Sequence, residues 1–244
     1  MTTGGTTGTS LELVGQAFTN TAGAAALAPG AGSRFLVWSS NPDPFGGTTP
    51  DNRGGLAYDF KQYDATFGVT APAQATGDGF LYTLAPIITP ALTGAVSKVY
   101  DGANTAALAA GNYSTSGAVD GDVVTLNNPA SGVYDNKHVG SGKNISVSGI
   151  AIAGATNAAA TVYGYQLAST SANADIGEIT ARPITVSAQT DTRTYDGSTS
   201  SAVTPVITSG TLAPVGGDTA AFTQTFDTRN VGAGKTLTAA GSVT

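Results

Sequence analysis

Apolar residues fall in short runs along this chain, each closed by glycine, proline or another turn former, and these runs read as β-strands. The bulkiest, over 34–39, is Arg-Phe-Leu-Val-Trp-Ser, and it ends in Asn41-Pro42-Asp43-Pro44. Further strands are predicted over 56–60, 79–84, 96–100 and 123–126. In the third of these, Val96, Lys98 and Tyr100 alternate with Ser97 and Val99, the period of two that a half-buried strand requires. Over 145–152 the apolar residues sit at 145 and 147 and then at 150 and 152, so the parity flips around Gly149. A bulge, or two strands joined by a tight turn, accounts for the flip. Over 182–188, Ile184 and Val186 share a face. The best helical stretch, 22–28, is short and stops at Pro29-Gly30, and no helix is expected there.

Composition agrees with an all-β chain. Gly contributes 33 residues and Pro 11, so turns recur too often for long helices. Charged residues are only 11%, but 41% are hydrophobic, enough apolar surface to argue against disorder. Polar residues interrupt every uncharged stretch, and no membrane span is expected. The net charge of −6 disfavours nucleic acid, which needs a basic face. Cysteine is absent, which removes disulfides and thiolate chemistry. No signal peptide is seen, and any export signal of a secreted parent is expected outside this stretch.

Three blocks recur in order. Lys98-Val99-Tyr100-Asp101-Gly102 is matched by Arg193-Thr194-Tyr195-Asp196-Gly197, 95 residues on. Asp120-Gly121-Asp122 is matched by Gly216-Gly217-Asp218. The third block runs from Tyr134-Asp135 through Val139-Gly140-Ser141-Gly142-Lys143. Its match, 92 residues on, runs from Phe226-Asp227 through Val231-Gly232-Ala233-Gly234-Lys235. The second copy has no counterpart for the stretch of the first beyond about 152, so a truncated module cut from a longer array is expected.

These blocks resemble the YDG-type repeat of bacterial haemagglutinin-like exoproteins. A later strand, Tyr163-Gly164-Tyr165-Gln166-Leu167, fits the same pattern with Gly164 where Asn is usual. The segment ahead of the repeats, with Phe18-Thr19-Asn20, the 34–39 run and Phe80-Leu81-Tyr82-Thr83-Leu84, resembles the stretch after the β-helical shaft of filamentous-haemagglutinin-like, two-partner-secretion exoproteins. The resemblance implies export through an outer-membrane β-barrel partner, a secreted or cell-surface location, and a role in adhesion, aggregation or biofilm. The expected fold is the end and cap of a right-handed β-helix over 1–89, a YDG-type module over 90–186 and a truncated one over 187–244. An immunoglobulin-like sandwich and a β-grasp fold are both open for the modules.

Candidate chemistry is sparse. His138 is the only histidine, and the second copy has Asn230 there, so it is read as structural or surface rather than as a catalytic base. Asp120 and Asp122 have the look of cation ligands, but Asp-Gly is a favoured turn pair and a hairpin turn is the better reading. Tyr100 and Tyr195 are read as packed at strand ends, with Asp101-Gly102 and Asp196-Gly197 turning behind them. Trp38, Phe45, Tyr58 and Tyr63 belong to the densest aromatic cluster. If exposed they would stack on glycan rings; if buried they would cap open strand edges, and the cap is favoured. No catalytic residue, metal or cofactor is expected. The partners considered are the secretion partner and surface glycans or proteins.

Overall fold

The computed structural model describes residues 8–244, and it is all-β. Strands β1 (Gly8–Gly15), β2 (Ser33–Ser39), β3 (Phe60–Gln62), β4 (Gly79–Tyr82), β5 (Ile87–Leu92), β6 (Val96–Val99) and β7 (Thr105–Ala107) come first. After a 3-10 turn (Ala110–Asn112) follow β8 (Tyr113–Ser116), β9 (Val123–Leu126), β10 (Ser131–Tyr134), β11 (Gly140–Ser148), β12 (Ile152–Asn157) and β13 (Ala160–Tyr163). The last are β14 (Gln166–Leu167), β15 (Ser171–Thr180), β16 (Thr185–Ser187), β17 (Val206–Ser209), β18 (Ala220–Phe226) and β19 (Leu237–Val243).

The chain forms two compact units. Of the described residues, the first takes 8–94, 108–130 and 146–174; the second takes 95–107, 131–145 and 175–244.

In the first unit a seven-stranded sheet runs in the order β1-β2-β4-β3-β13-β12-β9. Its pairs from β1 to β13 are parallel, and those of β12 with β13 and β9 are antiparallel. The run Phe35-Leu36-Val37-Trp38 explains why β2 sits inside this sheet. Phe35 and Val37 join one core with Phe80, Tyr82 and Tyr63, while Leu36 and Trp38 join another with Phe60 and Leu81. A strand apolar at every position is stable only where both faces are covered, the usual condition of parallel strands. A three-stranded sheet, β14-β5-β8, completes the unit.

Among the buried residues of the second unit are Val96, Ala106, Tyr134, Ile145 and Ile179. Strands β6 and β15 pair in parallel, β7 and β10 antiparallel. In its last part, β16 pairs with β17 and β18 with β19.

The predicted strands over 34–39, 79–84, 96–100 and 123–126 are present as β2, β4, β6 and β9. The parity flip at Gly149 marks the end of β11, with φ +77° at that glycine; β12 then pairs with β9 and β13 instead of folding back. The strand expected over 56–60 is reduced to Phe60. Gly54 and Gly55 turn at φ +59° and +79°, and Leu56 reaches the core from a loop. The strand expected over 182–188 shrinks to Thr185–Ser187, behind Pro183, which has no N–H to give a ladder.

Candidate functional site

The strongest chemistry of the first unit is a buried ion cluster. Lys61, at the centre of β3, is 0% exposed. Its Nζ lies 2.5 Å from Asp120 Oδ2 and 2.5 Å from Asp122 Oδ1. Arg53 grips Asp120 with both arms, at 2.6 and 2.8 Å, the bidentate fork that suits guanidinium to carboxylate. Asp122 also accepts from Tyr63 Oη at 2.7 Å, Tyr165 Oη at 2.9 Å and Asn157 Nδ2 at 2.8 Å. Tyr58 donates to Asn157 Oδ1 at 2.9 Å. The Arg53 guanidinium stacks 5.1 Å from the Tyr58 ring, and Lys61 Nζ is 5.6 Å from the rings of Phe45 and Tyr63.

Two cations face two carboxylates, so the cluster is neutral, and hydrogen bonds satisfy the charges that burial strips of water. Burial opposes the charge on Asp120, but hydrogen bonds from Arg53 and Lys61 outweigh it and hold the carboxyl below its ordinary pKa. Burial, then the bond to Asp122, drives the Tyr63 phenol far above its ordinary value.

Asp120 (φ +55°) and Gly121 (φ +69°) do form a turn. It is not a hairpin, because β8 and β9 on either side belong to different sheets. The expected hairpin is thus corrected: the turn aims both carboxylates at Arg53 and Lys61. Among the described residues, no three His, Cys, Asp or Glu side chains group as a metal site.

Of the four aromatic candidates, two are buried and two half-buried. Trp38 and Tyr63 are buried, Phe45 and Tyr58 pack on the same core as Tyr63, and Phe45 meets Tyr63 edge-on at 6.0 Å. Trp38 lies in the other core and donates its indole N–H to Glu12 Oε1 at 2.8 Å. The four do not share one core. Gly164, at φ +86°, lies so close to the Tyr63 carbonyl that a Cβ would come within 2.1 Å of it.

In the second unit the two repeats build the same device twice. Lys98 bonds Asp101 at 2.7 Å and caps the carbonyl of Ala103; Arg193 bonds Asp196 at 2.9 Å and caps that of Ser198. Each cation also lies over the aromatic of the third block, Lys98 over Tyr134 at 5.5 Å and Arg193 over Phe226 at 5.1 Å. Asp101 and Asp196 accept from the amides of Ala103 and Ser198, at 3.0 and 2.8 Å, across Gly102 and Gly197 in left-handed conformation. This is an Asx turn, which explains the Tyr-Asp-Gly order.

In the third block Lys143 pairs with Asp135 at 3.1 Å and Lys235 with Asp227 at 3.6 Å. The chain between them turns through Gly142, within β11, and Gly234, at φ +63° and +69°. Val139 and Val231 are exposed and lie outside the strands. Gly140 begins β11 and Gly232 lies outside β19. His138 is exposed, and its amide donates to Asn136.

Direct contacts join the two copies. Tyr100 Oη donates to Asp218 Oδ1 at 2.9 Å, and the Val215 amide donates to the Asp101 carbonyl at 3.2 Å. Gly102 lies under Val215, whose carbonyl oxygen would be 1.5 Å from any Cβ there.

Lys61 and Arg53 were not singled out by sequence reasoning, and Tyr165 was read only as part of a strand. The signal was present: Lys61-Gln62-Tyr63-Asp64 repeats the basic-x-Tyr-Asp spelling of Lys98–Asp101 and Arg193–Asp196.

No curated protein and no solved structure matches the chain. The family model of the YDG domain matches it twice, over residues 84–174 and 180–244. With most of its length matched, and the Tyr-Asp-Gly turn built in the same way in both copies, the chain belongs to the YDG domain family.

Proposed function

We propose that this chain is a load-bearing, non-catalytic part of a secreted bacterial surface adhesin of the filamentous-haemagglutinin kind. It reaches the surface through an outer-membrane β-barrel partner, and it serves attachment, aggregation or biofilm as a stalk. One observation carries this reading: the aspartates of the repeated motif are consumed by the fold. Asp101, Asp196, Asp135 and Asp227 are each held by a neighbouring cation and a backbone amide, in both copies alike. Residues kept for such contacts serve mechanical integrity rather than turnover. The parallel strands β1 to β4 support a β-helix end for the first unit.

Direct carbohydrate binding through Trp38, Phe45, Tyr58 and Tyr63 has less support, since a sugar needs a ring face and Trp38 and Tyr63 are buried. The test pairs two measurements on the folded chain. Pulling single molecules by the two termini is expected to give discrete unfolding steps, and a glycan and matrix-protein panel is expected to stay silent. Featureless extension at low force, or specific glycan binding, would overturn the stalk reading.

A further inference from the structure

Both Gly-Asp blocks obey one rule. The aspartate of each repeat accepts a hydrogen bond from the tyrosine of the basic-x-Tyr-Asp segment before its own, Asp122 from Tyr63 and Asp218 from Tyr100. The chain has a third such segment, Arg193-Thr194-Tyr195-Asp196. We propose that Tyr195, with Gly197 and the loop around Val231, is the docking face for the Gly-Asp turn of a further YDG unit in the same polypeptide. The inference concerns how units are joined and does not depend on the adhesive reading.

Three comparisons between the copies carry it. Tyr195 is 62% exposed, whereas Tyr100, bonded to Asp218, is half-buried. A Cβ at Gly102 would strike Val215, whereas one at Gly197 meets only the Tyr195 hydroxyl at 4.0 Å. Val139 is 55% exposed and Val231 85%. Val139 lines a cleft with Tyr100, Lys137, Leu212 and Asp218. Val231, Tyr195, Arg229 and Phe226 line the corresponding cleft of the second copy.

The occupant is defined by chemistry. The site offers a phenol hydroxyl to a carboxylate, an Arg in the place of Lys137, an exposed valine, and a Gly197 face that admits backbone at close range. An apolar-Gly-Gly-Asp turn like Val215–Asp218 fits all four. A second copy of this chain is a poorer fit, because Asp122 is buried against Lys61 and Asp218 is engaged by Tyr100.

The test extends the chain. Thr244 aligns with Ile152 at the 92-residue offset, so residues 153–244 are appended directly after Thr244, which completes the second copy and adds a third Gly-Asp turn. Phe replaces the added copy of Tyr195, so that nitration by tetranitromethane, followed at each tyrosine by mass spectrometry, reports Tyr195 itself. Tyr195 is expected to react readily in the original chain and about tenfold more slowly in the extended one, as a newly hydrogen-bonded and covered phenol should. Asn in place of the added aspartate is expected to restore reactivity. Asp218→Asn in the original chain is the reference and should raise the reactivity of Tyr100. The proposal fails if Tyr195 stays equally reactive although amide exchange shows the added unit folded. It fails also if Tyr100 ignores Asp218→Asn, or if Tyr195 is protected in the original chain by concentration-dependent self-association.

Discussion

Tyr100 and Asp218 lie 118 residues apart in sequence, and the hydroxyl of one sits 2.9 Å from the carboxylate of the other. Tyr63 and Asp122 repeat the relationship at 2.7 Å. The earlier contact is sealed in a charge cluster and the later one is half open, so equivalent residues serve in settings of different dielectric. The sealed contact is therefore expected to dominate stability.

Lys61 is where that dominance is measured. Its ammonium is fully buried between two carboxylates, and removing it leaves negative charge without a partner. Lys61→Met is expected to lower the unfolding free energy by about 3–5 kcal/mol, read from denaturant curves. Removing charge on both sides, with Lys61→Met and Asp122→Asn together, is expected to recover part of that loss. Full additivity would show that the pair is not coupled.

The same cluster sets a pH window. Asp120 titrates below its ordinary range when folded because Arg53 and Lys61 outweigh burial. Its contribution is present above about pH 4, the unfolded value, and is lost as pH falls through the folded one. Tyr63 and Tyr165 are shifted upward, by burial first and by Asp122 beside them. Their contribution is present below about pH 10 and is lost as pH rises. Melting temperature against pH is expected to show a plateau between these limits, with an acid limb shallower in Asp120→Asn. An unchanged acid limb in that variant would assign acid sensitivity to other carboxylates.

Much of this was legible in the chain, and what was not has a physical reason. The run over 34–39 announced a buried strand because no face of it is polar. The repeat blocks announced their turns because Asp-Gly and Gly-x-Gly have few other uses. Hidden were contacts fixed by pairing between distant strands. Nothing near Asp122 in sequence points to Lys61, which reaches it because β3 pairs with β13 and β13 with β12, which in turn pairs with β9 just after Asp122. Lys61 stood just beyond the strand expected over 56–60, whereas it lies at the centre of β3 where the sheet is covered.

Trp38 is expected to behave as core. Its ring lies among Leu36, Phe60 and Leu81, and its N–H is bonded to Glu12. Trp38→Ala is expected to cost about 3–5 kcal/mol without changing any binding profile of the folded fraction. Specific loss of a ligand at unchanged stability would return the aromatic cluster to the status of a receptor site.

Gly102 and Gly197 separate backbone strain from docking. Both are left-handed, at φ +84° and +77°, so alanine at either is expected to cost about 1 kcal/mol from conformation alone. Only at Gly102 does the new Cβ also strike the Val215 carbonyl, 1.5 Å away, which forces the Val215–Asp218 segment off the Tyr-Asp-Gly turn. Gly102→Ala is therefore expected to be the more destabilising substitution, and amide exchange should report faster opening around Val215 and Asp218. Gly197→Ala should leave those amides as they were. Equal effects of the two substitutions would reduce the Gly102 contact to surface proximity, and the rule that joins each Gly-Asp block to the preceding tyrosine would lose its second example.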